Sequence, residues 1–356
     1  MNKDLVIKNY HDSHWPEVHK LYKKTFGKDI DKEFFLWKNQ TNPQGKSIMK
    51  VALKGEEVVG LSIIWKSFMN YKGKRILVGQ SVDAMVGKES RRQGIFGEMA
   101  KNAIGDMEKE GMVLRFNFPN EAAYEASINK IKVKKICQIP QYLKAINGRE
   151  ALGMFTSNGF INMLGGVILD LYKKAKTWKG AKKSLYDIKE IEYFDEEFDV
   201  LWEKVKKNYP IATERCSKYL NWRYIENPQE YKIFGAYKKD ILVGYIVISL
   251  ESKTTKDGVV VLGHLVDFLL DESEKEAGLE LILKAEDYLK AEGACAISAW
   301  MLKEWFYADI LKECAYMNLR SPSILTALPI GEGINETGFV YDYKNWYITI
   351  GDSDYI

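Results

Sequence analysis

The sequence predicts an α/β protein made of two tandem units, each a mixed, twisted central sheet flanked by helices. An internal repeat and a recurring order of strand and helix patterns carry this expectation. FFLWKNQTNP in the first half answers YLNWRYIENP in the second, so Trp37 meets Trp222 and Asn42-Pro43 meets Asn227-Pro228, both 185 positions on. ALKGEEVVG then answers AYKKDILVG (Gly60, Gly244) and VDAMVG answers VDFLLD (Asp83, Asp267), both 184 apart. DMEKEG and YLKAEG bring Gly111 to Gly293 at 182. Anchors in one order at nearly constant offset are the mark of a duplicated unit. With 356 residues, 46% of them hydrophobic, the chain is long enough for two domains with separate cores. The expected division is 1–147 for the first domain, 148–187 for a connector and 188–356 for the second.

Each unit opens with a polar helical pattern, SHWPEVHKLYKKTF in one and EEFDVLWEKVKKNY in the other. Two β-branched runs follow around Lys-Gly-Glu or Lys-Lys-Asp and predict hairpins. A further strand ends at the Val-Asp pair and leads into a long helix closed by glycine, a suitable C-terminal cap. In the first unit that helix sets Ile95, Phe96, Met99, Ala100, Ala103, Ile104 and Met107 on one face, the period of a helix packed on a sheet. MVLRFNF then reads as a strand and NEAAYEASINKI as a short helix. Between the units, YKKAKTWKGAKK is rich in lysine and reads as connector.

Charge and cysteine usage exclude several function classes. The formal net charge is +3, with 28% charged residues of mixed sign, so no global basic field points to nucleic acid or to an anionic membrane. The four cysteines, Cys137, Cys216, Cys295 and Cys314, form no CxxC pair. That argues against structural zinc or a disulfide framework and fits a reducing compartment. His11, His14 and His19 do not complete a metal set with nearby carboxylates and read as surface or cap residues. The N-terminal MNKDLVIKNYHD lacks the apolar core of a secretory signal, and the apolar stretch FINMLGGVILDLY is too short to span a bilayer. A cytoplasmic protein is expected, without metal.

The stretch KESRRQGIFGEMAKNA sits between a strand and a helix. A helix N-terminus offers unpaired backbone N–H groups and the positive end of the macrodipole, so it receives anions. Gly94 lets the backbone come close to a phosphate, and Arg91 and Arg92 add charge-assisted contacts. No Gly-Lys-Ser/Thr ends the turn, so it is not a P-loop, and only one glycine fits a dinucleotide fingerprint.

Strand, Arg-x-x-Gly, helix and then a strand ending in NFPNEAAY resembles the GNAT superfamily of acyl-coenzyme A-dependent N-acetyltransferases, in particular the tandem enhanced-intracellular-survival-like branch. The resemblance implies acetyl-CoA as cosubstrate and a primary amine of a small molecule, such as an amino sugar, as acceptor. It implies that Arg91, Arg92, Gln93, Gly94, Ile95, Phe96 and Gly97 hold the pyrophosphate. Phe96 departs from the glycine or alanine usual there. The strand residues Ala84, Met85 and Val86 are implied to pair with the pantetheine arm and the acyl carbonyl. Asn120 matches the asparagine opening the next helix, and Tyr124 lies where a tyrosine protonates the departing thiolate. Asp83, next to the thioester, is the candidate base, although its repeat counterpart Asp267 equally suits a structural role. Glu89, Glu121 and the carboxylates of the C-terminal GDSDYI, Asp352 and Asp354 among them, are further candidates. Peptidoglycan-bridge aminoacyl transferases share the tandem fold but lack such a turn, and a non-catalytic acyl-CoA-binding module is the other alternative.

In the second unit ESEKEAGLELIL stands opposite KESRRQGIFGEM, pairing Gly278 with Gly94 and clustering glutamates where arginines stood. This unit is expected to keep the fold and to have lost the site. NKIKVKK reads as a half-exposed strand edge, and Trp222, with its counterpart Trp37, as core.

Overall fold

The computed structural model describes residues 5–147, 184–255 and 258–354. The chain divides into two compact units, one comprising residues 1–138, 211–214 and 322–345, the other 139–210, 215–321 and 346–356. Both are α/β, with a mixed sheet flanked by helices, as the sequence predicts.

The first unit begins with β1 (Leu5–Asn9), α1 (Trp15–Phe26) and α2 (Lys32–Gln40). Proline in its first turn starts α1, and Gly27, left-handed at φ 69°, stops it by donating its N–H to the Lys23 carbonyl. Asp31 caps α2 by accepting from the N–H groups of Glu33 and Phe34. β2 (Ile48–Lys54), β3 (Glu57–Tyr71) and β4 (Lys74–Val86) form an antiparallel meander. Its first turn falls at Lys-Gly-Glu, where the repeated β-branched runs place a hairpin. Helix α3 (Ile95–Lys109) returns the chain so that β5 (Leu114–Asn117) pairs parallel to β4, and α4 (Glu121–Ile131) follows. On α3, Ile95, Met99, Ala100, Ala103 and Met107 are buried. Ile95 and Met99 pack with Ala52 and Val59 of the sheet, while Phe96 and Ile104 lean on a cluster that includes Ile131 and Val133. Each full burial of a large apolar side chain stabilises by roughly 1.5–3 kcal/mol, so this face anchors the helix and fixes where its N-terminus points.

The second unit repeats the order: α5 (Glu196–Val205), a hairpin of β9 (Lys232–Lys238) and β10 (Ile241–Thr255), then β11 (Gly258–Leu270), α7 (Lys275–Ala291), β12 (Ala294–Trp300) and α8 (Phe306–Glu313). A short helix α6 (Ser217–Leu220) continues into a π-helical turn carrying Trp222 in the core. Again one pair, β11 with β12, is parallel. The hairpin turn Lys239-Asp240 holds both residues at positive φ without glycine.

Neither unit is a continuous stretch, because the chain passes between them within β6 (Lys134–Ala145) and β13 (Met317–Pro329). Residues 326–329 of β13 pair with β5 in the first unit, and residues 141–145 of β6 pair with β12 in the second. A strand β7 (Asp187–Glu190) flanks β9, and β8 (Ile211–Thr213) pairs with the end of β3. The connector expected at 148–187 lies, up to residue 183, outside the described residues.

NKIKVKK is not one strand edge. Its first three residues close α4, Lys132 turns the chain at φ 58°, and only Lys134 onward is strand. Alternating lysines there report two elements meeting at a left-handed residue. His11 caps the 3-10 turn before α1, accepting from the Ser13 N–H. Among the described residues no helix is long and apolar enough to cross a membrane.

Candidate active site

The site begins where two parallel strands part. β4 pairs with β5 only over Val78–Gln80 against Leu114–Phe116, although β4 runs on to Val86. From Ser81 the edge of β4 that faces away from β3 therefore has no β5 ladder. On the other edge the register against β3 slips by one residue: Leu61 faces Met85, but Ile63 faces Val82. Asp83 and Ala84 together oppose Ser62, and Asp83 takes φ 44°. This β-bulge turns the strand and aims its backbone out of the sheet.

Beyond Val86 a short 3-10 turn, Lys88–Ser90, leads into Arg91–Gly94 and the start of α3. Arg92 lies at φ 63° and Gly94 at φ 81°, and Gly94 is the N-cap of α3 with no side chain capping the helix. The first intrahelical N–H bond is that of Glu98 to the Gly94 carbonyl, 3.1 Å, so the N–H groups of the first turn are left for another acceptor. A Cβ built on Gly94 meets no atom within 4 Å and would project into open space. The Arg91 Nε donates to the Val86 carbonyl at 3.1 Å, tying the turn to the end of β4. Gln93 braces the loop, its Oε1 accepting from Lys54 at 2.9 Å and its amide donating to the Glu89 carbonyl.

One cavity of about 650 Å³ joins the turn to the open strand edge. Arg91, Arg92, Gly94, Ile95, Phe96 and Gly97 line one end, and Ala84, Met85 and Val86 line its wall. Gln93 is not among the lining residues, and neither is Asn120, which caps α4 by accepting from the Ala123 N–H at 2.9 Å. Among the polar lining residues that sequence reasoning missed are Ser81, Arg115, Asn117 and Lys130. For Arg115 a signal was present, since a charged residue inside the apolar run MVLRFNF is a buried polar group waiting for an explanation. For Lys130 there was none, because its position depends on how α4 packs. The lining carries four cationic side chains and no carboxylate. Such a chamber, long, positive at a helix N-terminus and walled by unpaired strand backbone, suits an elongated anion with an amide-bearing arm.

Residues 6–128 match the model of the acetyltransferase (GNAT) domain. This stretch resembles a GNAT domain. No curated protein matches the chain. Among solved structures, N-myristoyltransferase of Saccharomyces cerevisiae with bound myristoyl-CoA is similar at 13% identity, covering 93% of this chain and 83% of that one, with a TM-score of 0.64. A GCN5-related N-acetyltransferase from Anabaena variabilis shows 10% identity over 92% of this chain and 73% of that one, TM-score 0.65. A probable N-acyltransferase of Enterococcus faecalis shows 11% identity over 92% and 72%, TM-score 0.63. At these identities the likeness is one of fold.

The residues named for proton transfer in the first unit are not among those that line the cavity. Tyr124 is half-buried on α4 and not among the lining residues. The Asp83 carboxylate is 2.7 Å from the Lys38 ammonium, and both side chains are nearly buried. Glu89 lies in the exposed 3-10 turn, where its carbonyl receives Gln93. Asp352 is not available as a base: it is buried in the second unit, bonded by Arg215 and by the Thr349 N–H. Among the described residues no group of three or more metal-ligating side chains is present.

In the second unit the corresponding turn is built differently. Its β11 carries the same bulge, Val247 facing Asp267 and Ile248 facing Leu265. A 3-10 turn, Glu272–Glu274, then runs directly into α7 at Lys275, where the first unit inserts Arg91–Gly94. The pairing of Gly278 with Gly94 is therefore corrected. Gly278 is the fourth residue inside its helix, where an added Cβ would meet Leu270 at 2.4 Å, so it is a packing glycine. The offset near 184 hid a four-residue deletion, because α7 is longer than α3 by two residues and restores half of the register. The strand edge is closed as well. The Leu270 N–H donates to the Tyr307 hydroxyl at 2.7 Å, and the Tyr347 hydroxyl donates to the Phe268 carbonyl. Tyr209 packs on Tyr347 with centroids 4.5 Å apart and shares a hydrogen bond with Tyr307. Burial pushes all three phenols well above their ordinary values. Phe268 and Leu270 answer Ala84 and Val86 in the repeat, so tyrosines cover the strand edge that stays open in the first unit.

Proposed function

We propose that the chain is an N-acyltransferase that moves an acetyl group from acetyl-CoA to the primary amine of a small molecule, an amino sugar being the acceptor class favoured. The observation that carries this is the single cavity connecting an uncapped helix N-terminus to an unpaired, bulged strand edge. When bound, the coenzyme supplies an acyl group activated as a thioester. The first N–H groups of α3, with Arg91 and Arg92, hold its pyrophosphate. Backbone of Ala84, Met85 and Val86 pairs with the pantetheine arm, and an N–H on this edge faces the acyl oxygen, where charge develops as the amine attacks. Attack forms the C–N bond, the C–S bond breaks, and the sulfur leaves as thiolate. In this reading Tyr124 gives the thiolate its proton and Asp83, in its pair with Lys38, takes the proton from the amine.

The second unit, on this proposal, is a degenerate copy of the first. Titration with coenzyme A should give about one site per chain, because only one unit keeps the inserted turn and the open edge. Two equivalent sites by calorimetry would show that the tyrosine cluster does not block the second.

The proposed reaction is tested by assaying acetyl transfer across a panel of amines, with Tyr124→Phe as the diagnostic variant. Removal of the phenol should lower kcat by roughly 10²-fold with coenzyme A affinity unchanged, the signature of lost proton transfer. Near-normal turnover with chemistry rate-limiting would return Tyr124 to a packing role. Binding of coenzyme A without turnover of any amine would make the domain an acyl-CoA sensor instead.

A further inference from the structure

Arg115 stands on β5 with 3% of its surface exposed, yet its side chain lines the cavity. Its Nη1 is buried without a hydrogen-bond partner, and among the described residues no carboxylate pairs with it. Burial alone acts on the group and lowers its pKa to about 10. A buried guanidinium without a counter-charge is destabilising unless something in function repays it, and proteins rarely keep one otherwise. Among the described residues no Asp or Glu lines the cavity, so none of them supplies an anion to it.

The register fixes where along the cavity this charge sits. Arg115 is level with Gly79, whereas the anion-binding turn begins after Val86, seven residues further along β4. At about 3.3 Å per residue the two points are roughly 20 Å apart, more than an arginine side chain spans. Arg115 therefore serves the end of the cavity remote from the pyrophosphate turn. Asn117, two residues on and also lining the cavity, uses its Oδ1 to accept from Thr326, which leaves its amide nitrogen as a second donor.

We infer that Arg115 is the seat of a carboxylate carried by a substrate at the acyl-transfer end of the cavity. The inference rests on the acyltransferase reading above. A guanidinium offers a planar fork that a carboxylate fills with two parallel hydrogen bonds, and burial strengthens both. The carboxylate comes either with the acyl group, as in a dicarboxylic monoacyl thioester, or with the acceptor, as in an amino acid.

Two arms separate these sources. In the first, succinyl-CoA is compared with pentanoyl-CoA as donor; in the second, α-amino acids are compared with their amides as acceptors. One arm should show a preference for the carboxylate of about 10²-fold in kcat/KM, and Arg115→Met should abolish it while affinity for free coenzyme A stays the same. The ligand-free Arg115→Met protein should melt no lower than the natural one, since it loses an unpaired buried charge. Arg115→Lys, keeping charge without the fork, should retain only part of the preference. Absence of preference in both arms, its persistence in Arg115→Met, or a lower melting temperature of that ligand-free variant would each overturn the inference while leaving the acyltransferase reading in place. An equal loss of affinity for free coenzyme A would instead assign Arg115 to the coenzyme's phosphates. Failure of coenzyme A to bind the natural protein at all would overturn both readings together.

Discussion

Gly94→Val should abolish coenzyme A binding in a protein that remains folded. Two effects act in the same direction. Gly94 holds φ 81°, which a β-branched residue adopts only under strain of about 1–3 kcal/mol, and a valine there would pull the turn out of shape. The Cβ also projects into the open space before the first N–H groups of α3, where an anion would sit. Affinity should fall by roughly 10²-fold or more, about 2.8 kcal/mol at 1.4 kcal/mol per decade. Gly94→Ala should fall between the two, since it keeps the strain with less bulk. The core face of α3 is untouched, so circular dichroism should be that of the natural protein. Calorimetry showing unchanged affinity in folded Gly94→Val would remove the turn from the site.

The largest loss of stability is expected from Arg215→Ala in the second unit. Arg215 is buried and its Nη2 lies 3.0 Å from both Asp267 and Asp352, with Nε 3.1 Å from Asp267. Thr349 joins the network, donating its hydroxyl to Asp267 at 2.9 Å. Removing the guanidinium strands two buried carboxylates, and breaking such a pair destabilises by about 3–5 kcal/mol. The pH dependence follows from Asp267, whose carboxyl burial raises above the ordinary value against the pull of Arg215. A raised pKa means that folding takes up a proton, so its contribution is present at low pH and fades as pH rises. Without Arg215 the shift grows, and the gap between variant and natural protein should narrow on acidification. Denaturant unfolding at several pH values measures this. A gap that is small at neutral pH, or that widens as pH falls, would show that the network does not hold this unit together.

Much of this was legible in the chain because it is local. The period of α3, the glycine that closes it at Gly111 and the Lys-Gly-Glu hairpin are each dictated by residues within a few positions of one another. The Arg91–Gly94 turn at the start of α3 is likewise local. The internal repeat was readable for the same reason, since sequence offsets preserve local order. They do not preserve gaps: two compensating length changes placed Gly278 opposite Gly94, although only one of them is a turn residue.

Tertiary structure alone decided what depends on strand pairing and burial. That β6 and β13 each enter the unit away from their neighbours in sequence is a choice of sheet edge, to which hydrophobic pattern is blind. The cavity exists because β4 and β5 cease to pair after Gln80, and no residue type announces where a ladder stops. Asp83 and Asp267 look alike in sequence, yet one meets Lys38 and the other an Arg215–Asp352 network, because partners come from distant segments. Arg115 shows the division most clearly: the sequence carries a charge inside an apolar strand, and only the packing around it shows that no group among the described residues neutralises it, because burial and pairing are properties of the folded surroundings.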